Sequence, residues 1–111
     1  MAAVVYLVDD LFFVAKIRDV AAQLGIDVEG ASDPAALAAA APHARLAILD
    51  LRRADALDAL DRLAGTPGVR SVGFVDHERV ETMQAATARG CALVLSKRRF
   101  ATELPALLAG S

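Results

Sequence analysis

The sequence is poor in the features that mark several common classes of protein. Its 111 residues contain one cysteine, Cys91, which excludes an internal disulfide and fits a reducing compartment. Neither sign of charge dominates: 12 basic and 14 acidic side chains leave a formal net charge of −2. A surface for nucleic acid or for an anionic membrane therefore has no electrostatic basis, and neither partner is expected. No apolar run approaches the ~20 residues that cross a bilayer. The first apolar run has no basic segment ahead of it and ends in acids, so it does not read as a signal peptide. A cytoplasmic chain is expected.

What is present is an ordinary globular composition, 56% hydrophobic and 23% charged, at a length that suits one core and one domain. A single domain over residues 1–111, with no effector domain after it, is expected. Apolar runs with strand character alternate with helical patterns. Val4–Val8 is unbroken and rich in β-branched residues, as in a strand covered on both faces. From Leu11 to Leu24, Phe13, Ile17, Val20 and Leu24 recur at helical spacing, and Gly25 stands where a helix ends. A short strand is expected around Ile26–Glu29. The stretch "SDPAALAAA" opens a helix, with Ser32 or Asp33 as cap and Pro34 in the first turn.

"RLAILDL" gives a second buried strand, Leu46–Leu49, ending in Asp50. Leu57, Leu60 and Leu63 recur at helical spacing before the breaker "GTPG". "VRSVGFV" is a third apolar strand with Gly73 inside it, where close approach of a backbone is expected. Glu78 to Arg89 reads as a helix with Val80, Met83, Ala86 and Thr87 inward. "CALVLS" is the last strand, and Ala101 to Ala109 the last helix, with Pro105 tolerable only in its first turn. Strand–helix alternation with apolar strands implies an α/β, flavodoxin-like (βα)5 doubly wound parallel sheet in the order 2-1-3-4-5.

In that order ligands bind at the carboxyl ends of the first and third strands, where the winding reverses. Asp9, Asp10 and Asp50 all fall there. Two readings of the pair are open: Asp10 caps the next helix while Asp9 is solvated, or both join Asp50 in one acid site. Three close carboxylates raise one another's pKa values unless a cation sits among them. A hard divalent ion, Mg²⁺ by preference, binds through such carboxylates. Lys97 follows the fifth strand and reaches the same edge. Such a set handles phosphoryl groups, with an aspartate as nucleophile and metal and lysine neutralising the oxygens.

"YLVDD", "AILDL" and "GCALVLSK" resemble the receiver domain of two-component response regulators (the CheY-like family), over essentially the whole chain. The resemblance implies that Asp9 and Asp10 hold Mg²⁺ with Asp50 and the backbone carbonyl of Arg52. It implies that Asp50 accepts the phosphoryl group and that Lys97 pairs with it. The domain would be no enzyme beyond catalysing its own phosphorylation and dephosphorylation.

The chain also departs from the family. Its fourth strand ends in Val75, or in Asp76 if the register shifts by one, where the family has Thr or Ser. A hydrogen bond to a charged group is worth about 1.5–3 kcal/mol, and driving a switch from 1:99 to 99:1 takes about 5.5 kcal/mol. Loss of the hydroxyl thus removes a large part of the drive, and Asp76 adds repulsion to a phosphoryl group of about −1.5 to −2 charge. Val94 stands where the family has an aromatic switch residue, and Arg98 where proline follows the lysine. "LRRADALDA" lacks the usual Pro and Gly after Asp50, and the Arg52 side chain could reach the acids and neutralise them without metal.

Other residues read more plainly. His77 and His43 are loop residues, with no second His in zinc-like spacing. Cys91 is a small buried hydrophobe. Of Phe12 and Phe13, one packs into the core and the other covers the pocket or faces a partner. Arg52, Arg53, Arg98 and Arg99 are solvated or paired with acids, too few for nucleic acid.

Two functions follow from the resemblance. One is a stand-alone phospho-accepting regulator, served by a histidine kinase or phosphotransfer protein and read by a downstream protein partner at the last two helices and fifth strand. The other is a pseudo-receiver, a binding module independent of phosphate. Either would act as monomer or homodimer. A Mg²⁺-dependent aspartyl-phosphate phosphatase would need a second acid two residues after its nucleophile, where Arg52 stands.

Overall fold

A strand without polar residues needs cover on both faces, and this chain has helices for both. The computed structural model describes residues 2–110. Five parallel strands, β1 (Val4–Leu7), β2 (Val28–Gly30), β3 (Leu46–Asp50), β4 (Arg70–Val75) and β5 (Leu93–Ser96), form one sheet in the order 2-1-3-4-5. Helices α1 (Leu11–Leu24), α2 (Pro34–Ala40), α3 (Ala56–Leu63), α4 (Val80–Ala88) and α5 (Lys97–Ala109) follow the strands in turn. The doubly wound α/β architecture expected from the alternation is the one observed.

Side chains of a strand alternate between faces, and here each face has its own core. Val4, Tyr6, Ile48, Val72 and Phe74 pack with Phe13 and Ile17 of α1 and Phe100 and Leu104 of α5. Val5, Leu7, Leu49 and Val75 pack with Leu37 of α2, Leu60 of α3 and Ala86 of α4. The first face is built around aromatic rings: Phe74 stacks on Phe100 at 4.3 Å between centroids, and Phe13 lies 4.8 Å from Phe74. The Asp33 side chain caps α2 by accepting from the Ala36 N–H at 2.7 Å. Gly25 closes α1 with φ 70°, a left-handed conformation that glycine adopts without a Cβ penalty.

Five details differ from the sequence reading. The edge strand β2 lies at Val28–Gly30, two residues later than expected at its start. Helix α5 begins at Lys97, because the Ser96 hydroxyl caps it by accepting from the Arg99 N–H at 3.2 Å. Pro105 is consequently in the helix interior, held there by the burial of Phe100, Leu104, Leu107 and Leu108. Of the four residues expected inward on α4 only Ala86 is buried, and Val80 is 54% exposed. Gly73 makes room not for a backbone but for a side chain: a Cβ there would lie 2.8 Å from Leu51.

Candidate functional site

The register that pairs Leu7 with Leu49 ends β1 and β3 side by side, so the loops leaving them share one crevice. Asp9, Asp10 and Asp50 line a cavity of about 300 Å³ there, together with Arg52 and Arg53. Asp10 divides its carboxylate between two partners. One carboxylate oxygen caps α1, accepting from the Phe12 N–H at 2.9 Å, and the other lies 3.7 Å from Lys97 Nζ. Asp50 is buried, 4% exposed, and its Oδ1 accepts from the Arg52 N–H at 3.1 Å.

Two cations of the site, Arg53 and Lys97, are already paired with acids. Arg53 Nη1 donates to Asp9 at 2.6 Å, while its Nε and Nη2 grip both oxygens of Asp55 at 2.8 Å. A further bond at 3.2 Å runs from Nη2 to the Ser32 carbonyl. The hydrogen bond to Asp55 is the main reason the Arg53 guanidinium is held even more firmly protonated than usual; burial opposes the effect and Asp9 adds to it. The same bond holds the Asp55 carboxyl below its ordinary range. Lys97 pairs with Asp76 at 3.4 Å and with Asp10, not with Asp50.

The sequence points to the Arg52 side chain as the one that reaches the acids; the residue that does so is Arg53. The visible signal was the doubled arginine after the strand end. The Arg53 N–H donates to the Asp50 carbonyl at 3.2 Å, and this turn folds the second arginine, not the first, back over the pocket.

At the neighbouring strand ends, Val75 is fully buried at the end of β4, and Asp76 stands just beyond it in the loop. Val94 lines an apolar groove of about 440 Å³ with Val80, Met83, Gln84, Thr87 and Ala88, between β5 and α4. Phe13 enters the core, whereas Phe12 is 66% exposed and meets Phe13 edge-on. The His77 side chain is exposed in the loop before α4, 3.9 Å from the Glu78 carboxylate. Cys91 is buried, and burial pushes its thiol pKa up. Arg99 pairs with Glu103. No helix among the described residues is long and apolar enough to cross a membrane.

The arrangement does not fit a divalent cation as it stands. Among the described residues no three acidic, His or Cys side chains are gathered closely enough to hold a metal ion. Nor is any buried side-chain nitrogen or oxygen among them left without a hydrogen-bond partner that a ligand would satisfy. Three carboxylates line the cavity, but internal cations and N–H groups take one oxygen of Asp9, both of Asp10 and one of Asp50.

A doubly wound α/β domain with an acid crevice at its switch point is the class defined by these observations. No family model matches the chain, and no curated protein matches it. Solved structures do. The receiver domain of NtrX from Brucella abortus superposes with a TM-score of 0.78 at 24% identity, over 96% of this chain and 94% of that one. NtrX from the same organism in complex with ADP matches at 28% identity and TM-score 0.74, over 99% of this chain but 26% of that one. The receiver domain of the putative response regulator NarL from Mycobacterium tuberculosis gives TM-score 0.78 at 20% identity, over 98% and 94% of the two chains. The chain has the receiver-domain fold of response regulators.

Proposed function

We propose that the protein is a pseudo-receiver: a receiver-fold signalling module that works through protein contact, without a phosphoryl-driven switch. The observation that carries this reading is the state of Lys97. It is held by Asp10 and Asp76, so the residue that would neutralise a phosphoryl group on Asp50 is already neutralised by carboxylates. Asp76 contributes to this and offers only repulsion to an incoming dianion. The buried Val75 has no hydroxyl to give. The contact face in this reading is the groove between α4 and β5, where the small Val94 leaves open the space beside Met83 and Val80. A non-catalytic signalling role suits it.

A second reading, phosphoryl acceptance at Asp50, is favoured by one observation. Asp50 shares its cavity with Asp9 and Asp10 at the carboxyl edge of the sheet. The test is intact-mass spectrometry of the full chain after incubation with Mg²⁺ and acetyl phosphate. The pseudo-receiver reading expects an unmodified mass. A phosphoryl adduct that disappears in Asp50→Asn would sink it in favour of the acceptor.

A further inference from the structure

We infer that Arg53 is an internal counter-cation of the acid pocket, and that its clamp and a divalent cation exclude one another. This deepens the reading above and rests on it for the pocket as a site neutralised from within. The guanidinium is planar and presents its N–H groups as a fixed fork, which suits it to bidentate grips on carboxylates. Arg53 uses every nitrogen of that fork: Nη1 on Asp9, Nε and Nη2 on Asp55, and Nη2 again on the Ser32 carbonyl. Its side chain is 15% exposed although Asp9 is 67% exposed, so the cation is better shielded than the acid it holds.

One side chain thereby ties three loops at the carboxyl edge: β1–α1 through Asp9, β2–α2 through Ser32, and β3–α3 through Asp55 and its own backbone. A hard dication takes oxygen ligands and needs free carboxylate oxygens. The clamp leaves it few. The Asp9 Oδ1 is held by Arg53, Asp10 is divided between the α1 cap and Lys97, and one Asp50 oxygen takes the Arg52 N–H. A dication entering beside a fixed guanidinium also meets like-charge repulsion. Entry therefore requires Arg53 to let go of Asp9.

The test is a titration of the full chain with Mn²⁺, followed by paramagnetic broadening of the backbone amide signals around Asp9, Asp10 and Asp50. Arg53→Gln is expected to lower the titration midpoint by about tenfold, the scale of one charge-assisted pair. Asp55→Asn keeps every acid lining the pocket and frees one end of the clamp; it should shift the midpoint the same way, by less. Should Arg53→Gln lose its dispersed spectrum, Asp55→Asn decides alone. Midpoints within about twofold of the parent chain overturn the clamp. The titration does not depend on phosphoryl transfer. A phosphoryl adduct on Asp50 in the parent chain therefore counts against the pseudo-receiver, and unchanged midpoints count against the clamp.

Discussion

Gly73 has little freedom to change. It sits inside β4, on the face where Leu51 folds back from the β3–α3 loop, and a Cβ would meet three Leu51 carbons at 2.8–2.9 Å. Leu51 is itself buried at 4% exposure, so it has little room to move aside. Gly73→Ala is expected to cost about 1–3 kcal/mol by overpacking, measured by urea denaturation. Combining it with Leu51→Ala should cost less than the two changes summed, because the clash is removed with its partner. The glycine was conspicuous in the sequence as a breach in an apolar strand. That a leucine from another loop fills the space is a matter of tertiary contact, which no local pattern encodes. The two arginines after Asp50 teach the same lesson: both are equally basic, and only the turn at Asp50 decides which reaches Asp9.

Among the elements, α5 departs furthest from its sequence pattern. Its first turn, "KRRF", is too basic to look like the start of a buried helix. The Ser96 cap and the burial of Phe100 make it one. The helix then runs through Pro105, whose ring removes an N–H and crowds the carbonyl of the preceding turn, near Ala101. Pro105 is exposed, so replacing it disturbs no packing. Pro105→Ala is expected to stabilise the protein by about 1–3 kcal/mol, seen as a higher thermal midpoint. A drop in stability would mean that the proline is needed to seat Leu107 and Leu108. Helix α1 was more legible: its apolar spacing, the acid before it and the glycine after it agree locally, and its bounds are those read from the sequence.

For the whole molecule, the carboxyl edge is where the loops are joined by charge rather than by apolar packing. Asp55 reports on that join because Arg53 lowers its pKa. A carboxylate depressed in the folded state contributes stability above its unfolded pKa, about 3.9 for Asp, and loses it as pH falls through the folded value. The stability difference between the parent chain and Asp55→Asn should thus hold steady near neutrality. Below about pH 4 it should shrink. Urea melts across that range check the sign; a difference that grows on acidification would mean that Asp55 is not held by Arg53. The α4–β5 groove is lined by none of the residues of this charged edge, so protein contact there leaves the acid pocket untouched.

The sequence by itself determined the architecture. Apolar strands alternating with amphipathic helices leave few ways to bury both faces of a parallel sheet, and the observed strand order is the one that alternation favours. It also determined which acids stand at the switch point, because strand ends are local features. Tertiary structure alone decided how those acids are satisfied. Pairing of Asp9 with Arg53 and of Lys97 with Asp10 and Asp76 depends on loops that meet only after the sheet has formed. Over a few ångströms, electrostatic partnership is set by the turn that aims each side chain. The same composition of acids and bases could have left the pocket open to a metal; the fold of one loop placed Arg53 at its mouth.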